Sequence, residues 1–423
     1  MAGGNFTTQN KVRPGAYINV ASNSMNRVVG ATRGIVALPL VLGFGTSEIT
    51  AVTSQTDFLR TLGYELNAPE LLFVREALRG AATVLIGRVG GNHGVAASAT
   101  SGGFTARARY RGVRGNDITI RIVADIDMAG EFIVETFIDT TLVDSQRASA
   151  VADLQANAFI EFSGETLAAT AGLSLAGGSD GVTNVSHYTT YLEAMEEHEF
   201  NTMAIPTEDT TIKQLAVNFI TRMRDEGRKC QVVVADMVAD GEYVINTDEA
   251  VVTAWVAGVT AGAAVNESNT HRMYDGEIAL QLRHVNSDIV SALESGKFVF
   301  RKRGDDVIVE QDINSLTTFT PQRNEFFSKN RLLRVMDDIA NSVKQMFSEQ
   351  FIGRVTNDET GRNVFRMAVI DYLSNLQDMR AIENFDAEDI QIAAGNAKDS
   401  IVAQLYVQPV DAMEKLYMDV EVV

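Results

Sequence analysis

One cysteine in 423 residues, Cys230, leaves nothing for a disulfide to join and no thiolate cage for a metal. Its setting, Lys229-Cys230-Gln231-Val232-Val233-Val234-Ala235, predicts a buried small hydrophobe, with a reactive nucleophile as the other reading. No run reaches the ~18 apolar residues of a membrane helix. The leader MAGGNFTTQNKVRPG has no apolar stretch of a secretion signal, which predicts a protein made and folded in the cytoplasm and not inserted in a membrane. There is no Walker-type Gly-x-x-x-x-Gly-Lys, no second His at helical spacing from His198-Glu199, and no ligand ladder after Asp125-x-Asp127 and Gly130. Neither a cofactor nor a metal is expected.

Positive charge is scarce as well: 36 Lys and Arg stand against 55 Asp and Glu, a formal net charge of −19 that argues against nucleic acid and anionic membranes as partners. The distribution is uneven. Residues 1–47 carry Lys11, Arg13, Arg27 and Arg33 and no acid, whereas residues 371–423 carry 11 acids against Arg380, Lys398 and Lys415. One copy's start would attract another's end, or both are solvated termini.

With 45% hydrophobic and 22% charged residues the chain reads as a soluble globular protein of two to four domains. Apolar runs at 35–41 and 83–89 read as buried strands around helices at 53–62 and 69–79, the pattern of a largely parallel α/β sheet. From about residue 94 short alternating strands take over, at 104–109, 117–123, 131–138 and 159–162, with a short helix expected at 147–156. This β region closes at Leu175-Ala176-Gly177-Gly178-Ser179-Asp180-Gly181, after which α/β alternation resumes as if the β region were inserted in a loop of the first domain. Helices are expected at 186–199, 209–226 and 248–265, with strands at 202–205, 231–235, 297–301 and 307–310.

In the last hundred residues Leu332, Met336, Ile339, Val343, Met346 and Phe347 recur every three or four positions, one apolar stripe of a helix over 328–352. The opposite face, with Arg331, Arg334 and Lys344, is expected to be free. A helix near 364–377 and strands at 401–407 and 415–423 complete an α+β unit. Both chain ends carry strand patterns with no visible partner. At the start, Arg13-Pro14-Gly15-Ala16-Tyr17-Ile18-Asn19-Val20 offers Tyr17, Ile18 and Val20. At the end, Leu416, Met418, Val420 and Val422 share one face of an alternating segment. An unpaired strand needs a partner, and a neighbouring copy would make the chain a link in a polymer.

Two constellations hint at chemistry. Gly177-Gly178-Ser179-Asp180-Gly181 has the G-x-S-x-G spacing of a hydrolase elbow, and five His (93, 187, 198, 271 and 284) leave a base available; a tight turn at a domain junction is the plainer reading. Arg107, Arg109, Arg111 and Arg114 could bind phosphate or form one solvated sheet face.

The segments Arg13 to Val20, Tyr110-Arg111-Gly112-Val113-Arg114-Gly115-Asn116-Asp117-Ile118, Leu175 to Gly181, Lys329-Asn330-Arg331-Leu332-Leu333-Arg334-Val335-Met336-Asp337 and Glu414-Lys415-Leu416-Tyr417-Met418 resemble, in order, tail sheath proteins of contractile-tailed bacteriophages. The resemblance covers essentially the whole chain. It implies an N-terminal arm (1–27), an α/β domain of subtilisin-like topology (28–93 and 182–320) interrupted by a β-sandwich-like domain (94–181), a C-terminal α+β domain (321–407) and a C-terminal arm (408–423). It also implies a non-enzymatic subunit of a phage tail or tailocin-like particle, assembled in the host cytoplasm. Hexameric rings would stack helically around a tail tube protein, with baseplate and tail terminator proteins as further partners. The arms would add strands to a sheet of a neighbour's C-terminal domain, and the Arg331, Arg334 and Lys344 face would grip the tube unless it is simply solvated. The alternatives are a hydrolase on a subtilisin-like scaffold using Ser179, and a surface-layer or filament protein.

Overall fold

The computed structural model describes residues 33–280, 282 and 285–422, and the strand pairing of residues 2–4 and 15–17. At the start, β1 (Ala2–Gly4) and β2 (Gly15–Tyr17) pair in parallel. The expected strand at Tyr17 is present, and its partner lies in the chain's own leader; Ile18 and Val20 fall outside the described residues. The body then begins with β3 (Ile35–Leu40), β4 (Thr50–Val52), α1 (Phe58–Leu62), α2 (Leu72–Leu78) and β5 (Thr83–Arg88). α1 starts later than the periodicity predicts because Asp57 caps it, its carboxylate accepting from Arg60 N at 3.0 Å. Pro39 is tolerated inside β3 because the neighbouring strand on one side pairs only as far as Ala37, so no ladder donor is missed at Pro39 on that side.

The inserted domain contains β6 (Ser98–Ser101), β7 (Phe104–Ala108), β8 (Ile118–Ala124), β9 (Phe132–Ile138), β10 (Thr141–Ala148), β11 (Ile160–Gly164) and β12 (Thr170–Ser174). They form a four-stranded sheet, β10-β9-β8-β12, and a three-stranded sheet, β11-β7-β6. Alternation places Ile118, Ile120 and Ile122 of one sheet and Phe104, Ala106 and Ala108 of the other in a shared core. The helix expected over 147–156 is instead the end of β10 and one 3-10 turn, Val151–Asp153. Asp153 accepts from the backbone and hydroxyl of Ser149 and from Ala150 N, a turn that ends a strand rather than starting a helix. Arg107, Arg109 and Arg111 are exposed, and Arg114 is paired with Asp117 and Asp139 at 2.9 and 2.7 Å, so the four make no common anion site.

Beyond the insertion the body continues through α3 (Val185–Met195), β13 (Thr202–Ala204), α4 (Thr210–Asp225), β14 (Gln231–Ala235), β15 (Val244–Thr247), α5 (Thr253–Gly262), α6 (Asn286–Glu294), β16 (Lys297–Phe298) and the hairpin β17 (Phe300–Arg303) and β18 (Asp306–Val309). One seven-stranded sheet, β16-β15-β14-β13-β3-β5-β4, joins both halves; it is parallel except at the β4 edge. The junction is fastened by buried Arg88, which donates to Leu42 O (2.7 Å) and Gly45 O (2.7 Å) in the body and to Arg111 O (2.6 Å) in the sandwich.

On the α5 side of the sheet, backbone meets backbone. A Cβ on Gly258 would stand 2.2 Å from Ala77 O, and one on Gly262 would stand 1.9 Å from Gly80 O. Only glycine lets α2 and α5 pack this closely. Gly258→Val is therefore expected to destabilise the body by about 3 kcal/mol, since the helices must separate. Denaturant unfolding followed by Trp255 fluorescence, on the same helix, checks this; an unchanged midpoint would contradict it.

The C-terminal unit comprises α7 (Asn330–Met346), α8 (Glu359–Asp378), β19 (Ile382–Glu383), β20 (Ile390–Ala394), β21 (Ile401–Leu405) and β22 (Gln408–Pro409). Its separate core joins Val335, Ile339 and Met346 of α7 to Phe365, Val369 and Leu373 of α8 and to Ile390.

Candidate assembly interface

α7 is packed on two faces. Ile339, Val343, Met346 and Phe347 of its apolar stripe pack in the core shared with α8, as their spacing predicts, while Leu332 and Met336 line a separate pocket beside Phe326 and Pro409. The opposite face, expected to be free, is bound to the body, and the tube-gripping assignment of Arg331 and Arg334 is corrected accordingly. Arg331 Nε donates to Asn266 O at 3.1 Å, and Arg334 Nη1 donates to Glu267 O at 2.6 Å, with Nη2 3.5 Å from Asp312 Oδ2. Both are buried, and each satisfies a backbone carbonyl at the start of the 266–269 loop. Of the three residues only Lys344 is exposed, its Nζ 3.2 Å from Gly227 O.

Further along the same face, Asp337 takes a bidentate pair from Arg224 of α4 at 2.7 and 2.9 Å. Asn341 exchanges two hydrogen bonds with the Lys229 backbone, at 3.0 and 2.8 Å. Asp338 accepts from Tyr372 Oη at 2.5 Å and lies 3.8 Å from Arg33, whose pKa burial pushes down to about 10. The first described residue after the N-terminal arm is thus tied to α7.

On the far side of α8, β20 and β21 form a hairpin with no third strand among the described residues. Tyr406 N donates to Asp389 O and Gly395 N to Ser400 O, so every second pair between them is hydrogen-bonded. The backbone groups of Ile390, Ile392 and Ala394 therefore point out along one edge, and those of Ile401, Ala403 and Leu405 along the other. Arg366 Nε occupies one outward group, Ile390 O, at 3.0 Å. Ile390, Ile392, Ile401 and Leu405 turn toward the α7–α8 core, and Val402 and Gln404 face out. Ile401 also lines a cleft of about 530 Å³ floored by Phe347, Phe351 and Phe365 and edged by Arg362 and Lys398. Sequence reading missed β20, although Ile390-Gln391-Ile392 alternates and Gly395-Asn396 is a hairpin-turn signal.

The chain's end runs past this unit. Val410 N donates to Ala381 O, and β22 pairs with β19, so residues 408–410 sit on their own subunit. From Lys415 to Val422 no strand forms: Leu416, Met418, Val420 and Val422 are 83%, 72%, 73% and 95% exposed. The alternating pattern is present without a strand partner among the described residues.

Ser179 does not sit on an elbow. It bridges Val95 in antiparallel fashion, Val95 N to Ser179 O at 2.9 Å and Ser179 N to Val95 O at 3.1 Å, with no positive φ. His93 and His187 lie against each other with ring centroids 4.0 Å apart and planes tilted by 41°, and His187 Nδ1 accepts from Asn184 N. The motif closes the strand pair through which the chain leaves and re-enters the body. Cys230 is buried, its thiol pushed up to about 12 by burial, as expected of an inert small hydrophobe.

Comparison with known proteins agrees along the whole length. Four profiles of tail sheath domains match consecutive segments: the domain III N-terminal region of the tail sheath protein Gp18 (33–89), the phage tail sheath β-sandwich domain (92–180), central domain (180–315) and C-terminal domain (322–423). Protein XkdK of the phage-like element PBSX in Bacillus subtilis is 36% identical over 100% of both chains. The solved sheath tail protein of Desulfitobacterium hafniense is 38% identical, covering 96% of this chain and 99% of that one, with a TM-score of 0.82. The helical sheath of the anti-feeding prophage, in its contracted state, shares the fold alone, at 12% identity over 97% of this chain and 99% of that one and a TM-score of 0.58. The multidomain α/β architecture with its β-sandwich, the four consecutive domain matches and the full-length relatives lead to one conclusion: this chain belongs to the family of phage tail sheath proteins.

Proposed function

We propose that the chain is the subunit of a contractile sheath, polymerising as stacked hexameric rings around a tail tube and contracting to drive the tube through a host envelope. The observation that carries the reading is the two-stranded hairpin with no third strand on either edge among the described residues, in a chain whose residues 415–422 carry an exposed alternating pattern that pairs with none of those residues. Leu416, Met418, Val420 and Val422 of one copy would lie on the Ile401 and Leu405 side of a neighbour's hairpin. The N-terminal segment with Tyr17, Ile18 and Val20 would serve the other edge. Main-chain hydrogen bonds across added strands hold copies together and leave the bodies able to rotate between an extended and a contracted lattice. Contraction would draw on body-to-body contacts that differ between the two lattices, multiplied over many copies.

The finer domain plan goes with this reading: an N-terminal arm at 1–27, a C-terminal segment at 408–423 whose first residues stay paired on their own subunit, a subtilisin-like α/β body split into 28–93 and 182–320, the sandwich at 94–181 and the C-terminal unit at 321–407. The protein's place is the virion tail, with assembly in the host cytoplasm, and its partners are other copies, the tube protein, and baseplate and terminator proteins. Lys344 is the member of the original trio still available to a tube. Electron microscopy of the purified chain, alone and with tube protein, tests the reading. Sixfold end views and a helical repeat are expected, and monodisperse monomers under both conditions would contradict it.

A further inference from the structure

Resting on the arm reading, we propose that Thr270, Gln311 and Lys329 form a socket that holds Glu414 and makes it the pivot from which the C-terminal arm leaves the body. Glu414 Oε1 accepts from Thr270 Oγ1 at 2.8 Å, and Oε2 accepts from Gln311 Nε2 at 2.7 Å and from Lys329 Nζ. The three donors come from three places: the 266–273 loop, the segment after β18, and the residue preceding α7. They are themselves fixed. Thr270 Oγ1 also accepts from Asp312 N at 3.0 Å, and Lys329 bridges Ile313. The Glu414 side chain is 11% exposed and the Lys329 side chain 21%, in a tail where Met413 and Lys415 on either side are exposed.

Among the described residues no hydrogen bond or ion pair reaches any side chain from Lys415 to Val422, so the attachment stops at this carboxylate. Three donors on one carboxylate make a firm attachment, because hydrogen bonds to an ionised group are roughly twice as strong as those between neutral groups. The arm that can reach a neighbour is therefore Lys415–Val423, about 30 Å when extended, rather than the whole stretch from residue 408. The socket also places the anchor at the N-terminal end of α7, while the root of the N-terminal arm is tied to Asp338 on the same helix. Asp338 is nine residues along from Lys329, about 13 Å at the helical rise. A pull on either arm enters the subunit through α7, and the Arg224–Asp337 pair and Asn341 pass it to the body.

Nitrogen-15 relaxation of the soluble full-length chain and of Glu414→Ala tests the socket, because its bonds hold a side chain and so restrain the motion of the backbone that carries it. Order parameters at 411–414 are expected to be those of ordered backbone in the wild type and to fall below about 0.6 in the variant, with the rest of the chain unchanged. The reversal Lys329→Glu with Glu414→Lys should restore much of the order, a rescue that a general packing role would not give. Wild-type order parameters in Glu414→Ala, or no recovery in the reversal, overturn the proposal. Assembly separates this from the arm reading: a chain lacking 415–423 that still polymerises defeats the arms, while backbone order at 411–414 judges the socket independently.

Discussion

Deletion of Lys415–Val423 abolishes polymer formation and leaves the subunit folded: that is the expected result, read by sedimentation and electron microscopy beside circular dichroism and thermal melting. The stability half rests on the tail's contacts. Residues 415–422 are exposed and make no hydrogen bond or ion pair among the described residues, so the intrachain loss should stay within about 0.5 kcal/mol. The assembly half rests on what the tail offers elsewhere. Nine residues added to an open edge form several backbone hydrogen bonds and bury four apolar side chains, and each fully buried side chain of this size contributes roughly 1.5–3 kcal/mol. A unit that stays soluble and native-like but no longer assembles matches the account. A truncation that unfolds would mean that the tail packs on its own subunit.

The second large effect is expected at the seam between α4 and α7. Arg224 and Asp337 are both buried, joined by two parallel bonds, and Arg224 also donates to Cys230 O at 3.0 Å with Glu242 3.6 Å away. Asp337→Ala strands a buried guanidinium against a single more distant acid, and about 3–5 kcal/mol should be lost. Arg224→Ala strands the carboxylate instead. Because an apolar pair of similar volume can replace a buried ion pair at little cost, Arg224→Leu with Asp337→Leu should be more stable than either single alanine variant. Thermal unfolding of the four proteins decides it: additive losses would show that the two residues act separately. The functional consequence is mechanical, since this seam is where α7 is joined to the body.

Reading the sequence succeeded where structure follows local periodicity and failed where it follows distant partners. The buried runs 35–40 and 83–88, the alternating strands of the sandwich and the apolar stripe of α7 are recoverable because each carries its own period. Glycine-rich stretches at residues 94 and 177–181 mark the insertion for the same local reason. The sequence around Arg331 and Arg334 predicts a free face because exposed charge is the default on a helix, yet their acceptors lie at Asn266 and Glu267, some 65 residues away in sequence. No window around α7 contains that information. Residues 147–156 misled in a different way: apolar spacing at Val151 and Leu154 resembles a helical turn, while Asp153 closes a loop back onto Ser149 and Ala150. At the C-terminus the alternation itself was legible. Its partner is not, because on this account it belongs to another copy of the chain.

Disulfide trapping tests the central claim most directly, and the chain suits it, since Cys230 is buried with its thiol pushed up to about 12 and stays out of the exchange. A cysteine at position 418 is combined with one at 403, on one hairpin edge, or at 392, on the other, and the polymer is oxidised and run without reductant. Strand addition brings facing Cα atoms to within roughly 4.4–6.8 Å, the range a disulfide spans. A ladder of covalent multimers from the 418–403 pairing, and none from 418–392, is the predicted result. Ordered polymers that yield only monomer bands from both would show that the copies are linked some other way.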